Sequence, residues 1–157
     1  MADQGDSAEE AFAELSRRLL ATLTPLVGPW VEHQILTRLP SSHADRSDMT
    51  ALARQAGRAA AAHVGPRLEQ LLSADIGRQR TNPLALLREA TPFATDVLRS
   101  VGVPPAVRDE HARAMHPDDH YDVSPGAFSD FGEAAHEAGL LWGAAKAHLH
   151  LRQRSAK

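Results

Sequence analysis

Residues 116–122 read HPDDHYD, placing two histidines four apart, three aspartates and a tyrosine in one short run. On a continuous helix, His116 and His120 would point two imidazoles to one face, the spacing that helical metal sites use, and Asp118, Asp119 or Asp122 could add a carboxylate. Pro117 argues against that geometry, because a residue before proline is pushed out of helical dihedrals. The expectation is a polar connection between helices, with Asp118 and Asp119 in the first turn of a short helix where carboxylates favour the positive end.

Three other groups of residues could do chemistry. In GRQRTNPLALLREA, residues 77–90, Arg78 and Arg80 precede the helix start at Asn82-Pro83, and two guanidiniums beside helix amides suit a phosphate or a partner's carboxylate. On the last helix His136, Gly139, Gly143, Lys146 and His150 form one stripe at 100° per residue. Ala134, Ala138, Leu141, Ala145 and Leu149 form the apolar face across from it. Two glycines there each cost about 1 kcal/mol relative to alanine, so Gly139 and Gly143 point to close approach of another helix, in this chain or in a second copy. Trp142 and Lys146 together make a small hydrophobic and cationic contact. The remaining histidines, such as His33 and His63, stand singly on helices.

His63 on a long helix, taken with His116 and His120, is similar to the histidine set of the DinB-like family of thiol-dependent transferases. That resemblance rests on size, helical class and pair spacing, and it implies a divalent metal such as zinc held by His63, His116 and His120. A second resemblance runs through RTNPLALLREATPFATDVLRSVGVPP, HPDDHYDVSPGAFSDF and GLLWGAAKAHLHLRQR, roughly residues 78–152. These stretches resemble small all-helical proteins of actinobacteria, a likeness that implies a fold and carries no activity. The 15 arginines against two lysines, and alanine at close to a fifth of the chain, agree with a GC-rich source.

The elements that must position these groups are helical throughout. Apolar residues are 43% of the chain and mostly Ala and Leu, aromatics are 4%, and the β-branched runs of strands are missing. Residues 1–7 read as a disordered start, with Ser7 as a cap for a helix carrying Phe12, Leu15, Leu19 and Leu23. Pro25 and Pro29 then introduce either a second helix or a kinked continuation as far as Pro40. A linker, SSHADRSD, leads to a long helix from Ser47 to Leu72, bent at Gly65-Pro66. Residues 8–74 are thus long helices, and 82–131 are short ones begun at Asn82-Pro83, Thr91-Pro92, Pro104-Pro105 and Ser124-Pro125. Gly102 ends the second of these, and 133–153 is a long C-terminal helix. The expected fold is a single all-α domain, a bundle of about three long helices plus several short proline-initiated ones.

Bulk properties bound the function. At 157 residues the chain is one domain's length. A net charge of -3 argues against a nucleic-acid partner, and a helix-turn-helix drawn over residues 82–103 has only Arg99 to meet phosphate on its second helix. Without cysteine there is no disulfide, no thiolate metal site and no thiol nucleophile. No apolar run approaches the roughly 20 residues of a membrane span, so the expected location is cytoplasmic. GxSxG, P-loop, GxGxxG and HExxH are all missing. The reading is a non-enzymatic binding or regulatory protein that docks a protein partner through its short-helix half, with Arg78, Arg80, Trp142 and Lys146 as contacts and no cofactor. The alternative is the histidine-based metal enzyme.

Overall fold

A computed structural model describes residues 3–40, 46–74, 82–117 and 119–155, and among these there is no strand. Helix α1 spans Asp3–Leu23, a 3-10 turn covers Thr24–Leu26, and α2 follows at Val27–Arg38. Helix α3 is Arg46–Ser73, α4 is Pro83–Leu87, and a 3-10 turn at Arg88–Ala90 leads into α5, Thr91–Ser100. Helix α6 is Glu110–Met115, a last 3-10 turn is Phe128–Phe131, and α7 is Glu133–Ser155. The fold is a single all-α domain with α1, α3 and α7 as its long members. No helix among the described residues is long and apolar enough to cross a membrane.

The prolines at 25 and 29 leave the path helical, because proline at a first turn surrenders an amide that has no partner there anyway. Leu19, Leu23, Val27, Val31 and Ile35 are all buried, so the apolar line of α1 continues into α2 across the turn. Both helices pack on α3, but α1 adds α7 and α2 adds α5. Helix α3 is central and runs uninterrupted through Pro66. Its buried line is Ala53, Ala56, Ala60, Val64, Leu68 and Leu72, small where α2 crosses and larger beyond. The crossing is set by two glycines that the sequence reading passed over. A Cβ on Gly57 would stand 2.6 Å from the Gly28 carbonyl oxygen, so the backbones of α2 and α3 meet there without side chains between them.

Several expected boundaries shift. Helix α1 already runs at Asp3, so Ser7 lies inside the helix rather than capping it. Asn82 does cap α4, its Oδ1 accepting the Leu84 amide at 2.9 Å. Thr91, by contrast, is itself helical, and its hydroxyl meets the Ser124 hydroxyl at 3.2 Å. Pro104-Pro105 starts no helix, because consecutive prolines hold the chain extended. Helix α6 begins only at Glu110, where the Asp109 carboxylate accepts the Ala112 amide at 2.7 Å. Nor does Pro125 open a helix. The next turn begins at Phe128, after the Asp130 carboxylate has taken the amides of Gly126 and Ala127 at 2.7 and 3.0 Å. Gly102 ends α5 as expected, with φ +80 and the paired bonds Val103 N–H to Leu98 O and Gly102 N–H to Arg99 O.

Candidate polar cleft beside the 116–124 connector

The HPDDHYD run becomes a connector held in one shape by its own buried carboxylate. Helix α6 stops at Met115, and His116 has φ -136 and ψ 73, outside the helical region that Pro117 disfavours for it. Asp119 is 3% exposed, and its two oxygens accept the backbone amides of Val123 and Ser124 at 2.9 and 2.7 Å. A carboxylate so placed satisfies donors that burial would otherwise strand. Tyr121 is also buried and donates its hydroxyl to the Val103 carbonyl at 2.8 Å, while the His120 carbonyl accepts the Ala106 amide at 2.9 Å. The connector therefore staples the extended stretch before α6.

Arg38, the last residue of α2, ties this connector to the long-helix half. Its Nε donates to the Tyr121 carbonyl at 3.1 Å and Nη2 to the Asp122 carbonyl at 2.9 Å, while Nη1 is held by the Gln34 side chain at 2.7 Å. Burial pushes this guanidinium below its ordinary pKa, and the carboxylates of Asp119 and Asp122 pull it back up. Arginine keeps its charge regardless, so the clamp holds at every physiological pH. Asp122 completes the turn in the left-handed region, with φ 55.

Between the connector and α5 lies a hollow of about 470 Å³. Helix α5 supplies Thr91, Thr95 and Arg99 at four-residue spacing, the 3-10 turn supplies Arg88, and the connector supplies His116 and His120. Arg88 Nε donates to the Pro125 carbonyl at 3.1 Å, fixing the stem while its terminal nitrogens make no bond among the described residues. Of the two acids on the wall, Asp119 is occupied by amides, and Asp96 stands 3.8 Å from Arg99 in a pair open to solvent. The Thr91 and Thr95 hydroxyls meet Ser124 and the Pro92 carbonyl, so what remains along the hollow is the guanidiniums of Arg88 and Arg99 and the imidazoles of His116 and His120. A second hollow of similar size adjoins it across Pro117 and His120, lined by Pro105, Val107, Arg108 and Arg113. Met115 at the rim of the first is 61% exposed, and Val107 in the second is fully exposed.

The residues singled out from sequence are scattered. Arg78 and Arg80 lie outside the described residues, and so does Asp118. The helix start after them is not open, since Asn82 already takes an amide there. Trp142 is 4% exposed, so it does not present a surface contact. Its indole N–H donates to the buried Ser16 hydroxyl at 3.0 Å and its ring tilts against Phe12 at 5.9 Å, which makes it the seam between α1 and α7. The Lys146 ammonium stands 4.9 Å over that ring, and partial burial lowers its pKa. His63 is exposed on α3 with its ring 5.7 Å from Phe93, and it does not join His116 and His120. No three His, Asp or Glu among the described residues stand where they could hold one metal ion.

The last helix also turns differently from the expected division of faces. Its buried residues are Ala135, Ala138, Gly139, Trp142 and Leu149, whereas Ala134 and Leu141 face solvent. Gly139 is covered by the Phe128 ring, which a Cβ would overlap, and Gly143 has open space beside it. Within the described residues the two glycines therefore do not receive another helix of this chain. Arg38, Arg88 and Arg99 were missed as site residues. Their only sequence signal was the i, i+4 spacing of Thr91, Thr95 and Arg99, which any helix face can show. No protein-family model matches this chain, and no curated protein or solved structure does either.

Proposed function

We propose that this chain is a non-enzymatic binding protein that docks a protein partner through its short-helix half, at the paired hollows around Pro117 and His120. The observation that carries this is the wall of the cleft: Arg88, Arg99, His116 and His120 line it together, while of its two acids Asp119 is consumed by backbone amides and Asp96 stands 3.8 Å from Arg99. Such a wall complements a carboxylate-bearing segment. Exposed Met115 and Val107 alongside it supply apolar area, the combination of anchor and charged rim that protein interfaces use. The connector is braced from behind by Arg38 and Asp119, so the surface is formed before a partner arrives.

The test is capture of partners from lysate by the wild-type chain and by Arg99→Glu/His120→Glu, two exposed positions outside the core. The double variant is expected to fold normally and to lose the specifically retained proteins. An unchanged set of captured proteins rejects this surface. His116 and His120 do border one hollow, which keeps a divalent-metal reading as the second one. Metal analysis of untagged protein decides it: a stoichiometric ion that disappears in His116→Ala/His120→Ala would transfer the proposal to metal chemistry.

A further inference from the structure

The face of α7 turned away from the bundle carries a pattern unrelated to the cleft. Trp142 and Leu149 pack inward on α1. On the other side Glu133, Glu137, Leu140, Ala144, Ala147, Leu151 and Arg154 are all exposed. Their spacings alternate four, three, four, three, four, three, the heptad rule for a seam that meets another helix. Leu140 and Leu151 are 61% and 64% exposed, large apolar side chains left in water, and Leu141 beside them is 41% exposed.

We infer that this seam pairs with the same seam of a second copy, antiparallel, to make a homodimer. In an antiparallel pair each first heptad position faces a fourth position of the partner. Placing the twofold axis midway between Ala144 and Ala147 sets Leu140 against Leu151 of the other copy and Ala144 against Ala147. The same register sets Glu137 against Arg154, so one alignment matches leucine to leucine, alanine to alanine and acid to base. A parallel pair would instead stack Glu137 on its own copy and Arg154 on its own copy, like charges at the seam. Helix dipoles also favour the antiparallel sense. Small residues at the centre let the helices approach closely, and Gly143, with open space beside it, leaves that side unobstructed. Glu137 reaches Arg18 of its own chain only at 3.5 Å between exposed side chains, a contact weak enough to be shared.

Self-complementarity is what selects a second copy over an unrelated partner. The seam paired in this register runs from Glu137 to Arg154, about 27 Å, and so short a seam with alanine at its centre gives a concentration-dependent dimer.

Sedimentation of the full chain over a dilution series is expected to show a mass of twice 17.0 kDa giving way to 17.0 kDa. A single-chain mass at every concentration overturns the inference. Ala144→Glu, at an exposed helical position, is expected to abolish the larger species, and a dimer that survives it is held by some other face. Direction is read by cross-linking, which is clean because the chain has no cysteine. Leu140→Cys mixed with Leu151→Cys should form a disulfide-linked pair, and neither should do so alone, since like positions lie about 16 Å apart along the axis. Self-linkage of Leu140→Cys would overturn the antiparallel register.

Discussion

Asp119 fixes the shape of the connector from within. Its carboxylate satisfies two amides out of reach of water, so Asp119→Ala strands both and is expected to cost about 3 kcal/mol in chemical unfolding. Asp119→Asn keeps one acceptor and should cost less; equal losses would mean that the amides find other partners. Lys146 behaves in the opposite sense. Its folded pKa lies below the ordinary 10.5, so in the window between the two the unfolded chain binds more protons and stability rises with pH. Below the folded pKa the cost of burying the charge is fully present. Comparing stability curves up to about pH 10.5, Lys146→Met should lack this rise, and identical slopes for variant and wild type would reject the assignment. Neither role was legible in the sequence. HPDDHYD showed a dense group of polar residues, and Pro117 correctly pointed to a connection, but which aspartate turned inward depended on amides four and five residues further on.

At the scale of elements, the helices were legible and their contacts were not. Capping at Asn82, termination at Gly102 and the long α7 depend on neighbours within a turn, which is why local chemistry predicted them. The contact between the Thr91 and Ser124 hydroxyls, by contrast, spans 33 residues of chain and has no local signal. The same contrast separates the glycines. Gly139-x-x-x-Gly143 looked like a helix crossing, yet the real crossing joins Gly28 to Gly57, residues on two helices with no sequence pattern between them. Gly57→Ala should therefore destabilise by about 1–3 kcal/mol as α2 and α3 are forced apart. Gly143→Ala, with open space at its Cβ, should instead stabilise by up to about 1 kcal/mol through helix propensity. Thermal or urea melts of the two variants should move in opposite directions, and a shared direction would refute the crossing.

For the whole molecule, the long helices build the core and the short-helix half builds the cleft. Helix α3 gathers α1, α2, α4 and α5 into one core, and Arg38 carries that rigidity across to the connector that walls the cleft. Cleft and α7 seam are built from different elements, so partner docking and self-association can each be tested without disturbing the other. Taken alone, the sequence determined an all-α single domain, the extents of the long helices α3 and α7, and the connection at Pro117. These follow from periodicity and from residues within a turn of one another, where backbone geometry decides. Tertiary structure alone decided that Trp142 is a core residue and that α7 turns Leu140 and Leu151 outward. It alone brought Arg88, Arg99, His116 and His120 to one hollow. Each of those outcomes depends on which face of a helix another element covers, and an alanine-rich helix with apolar residues on several faces leaves that choice to its neighbours.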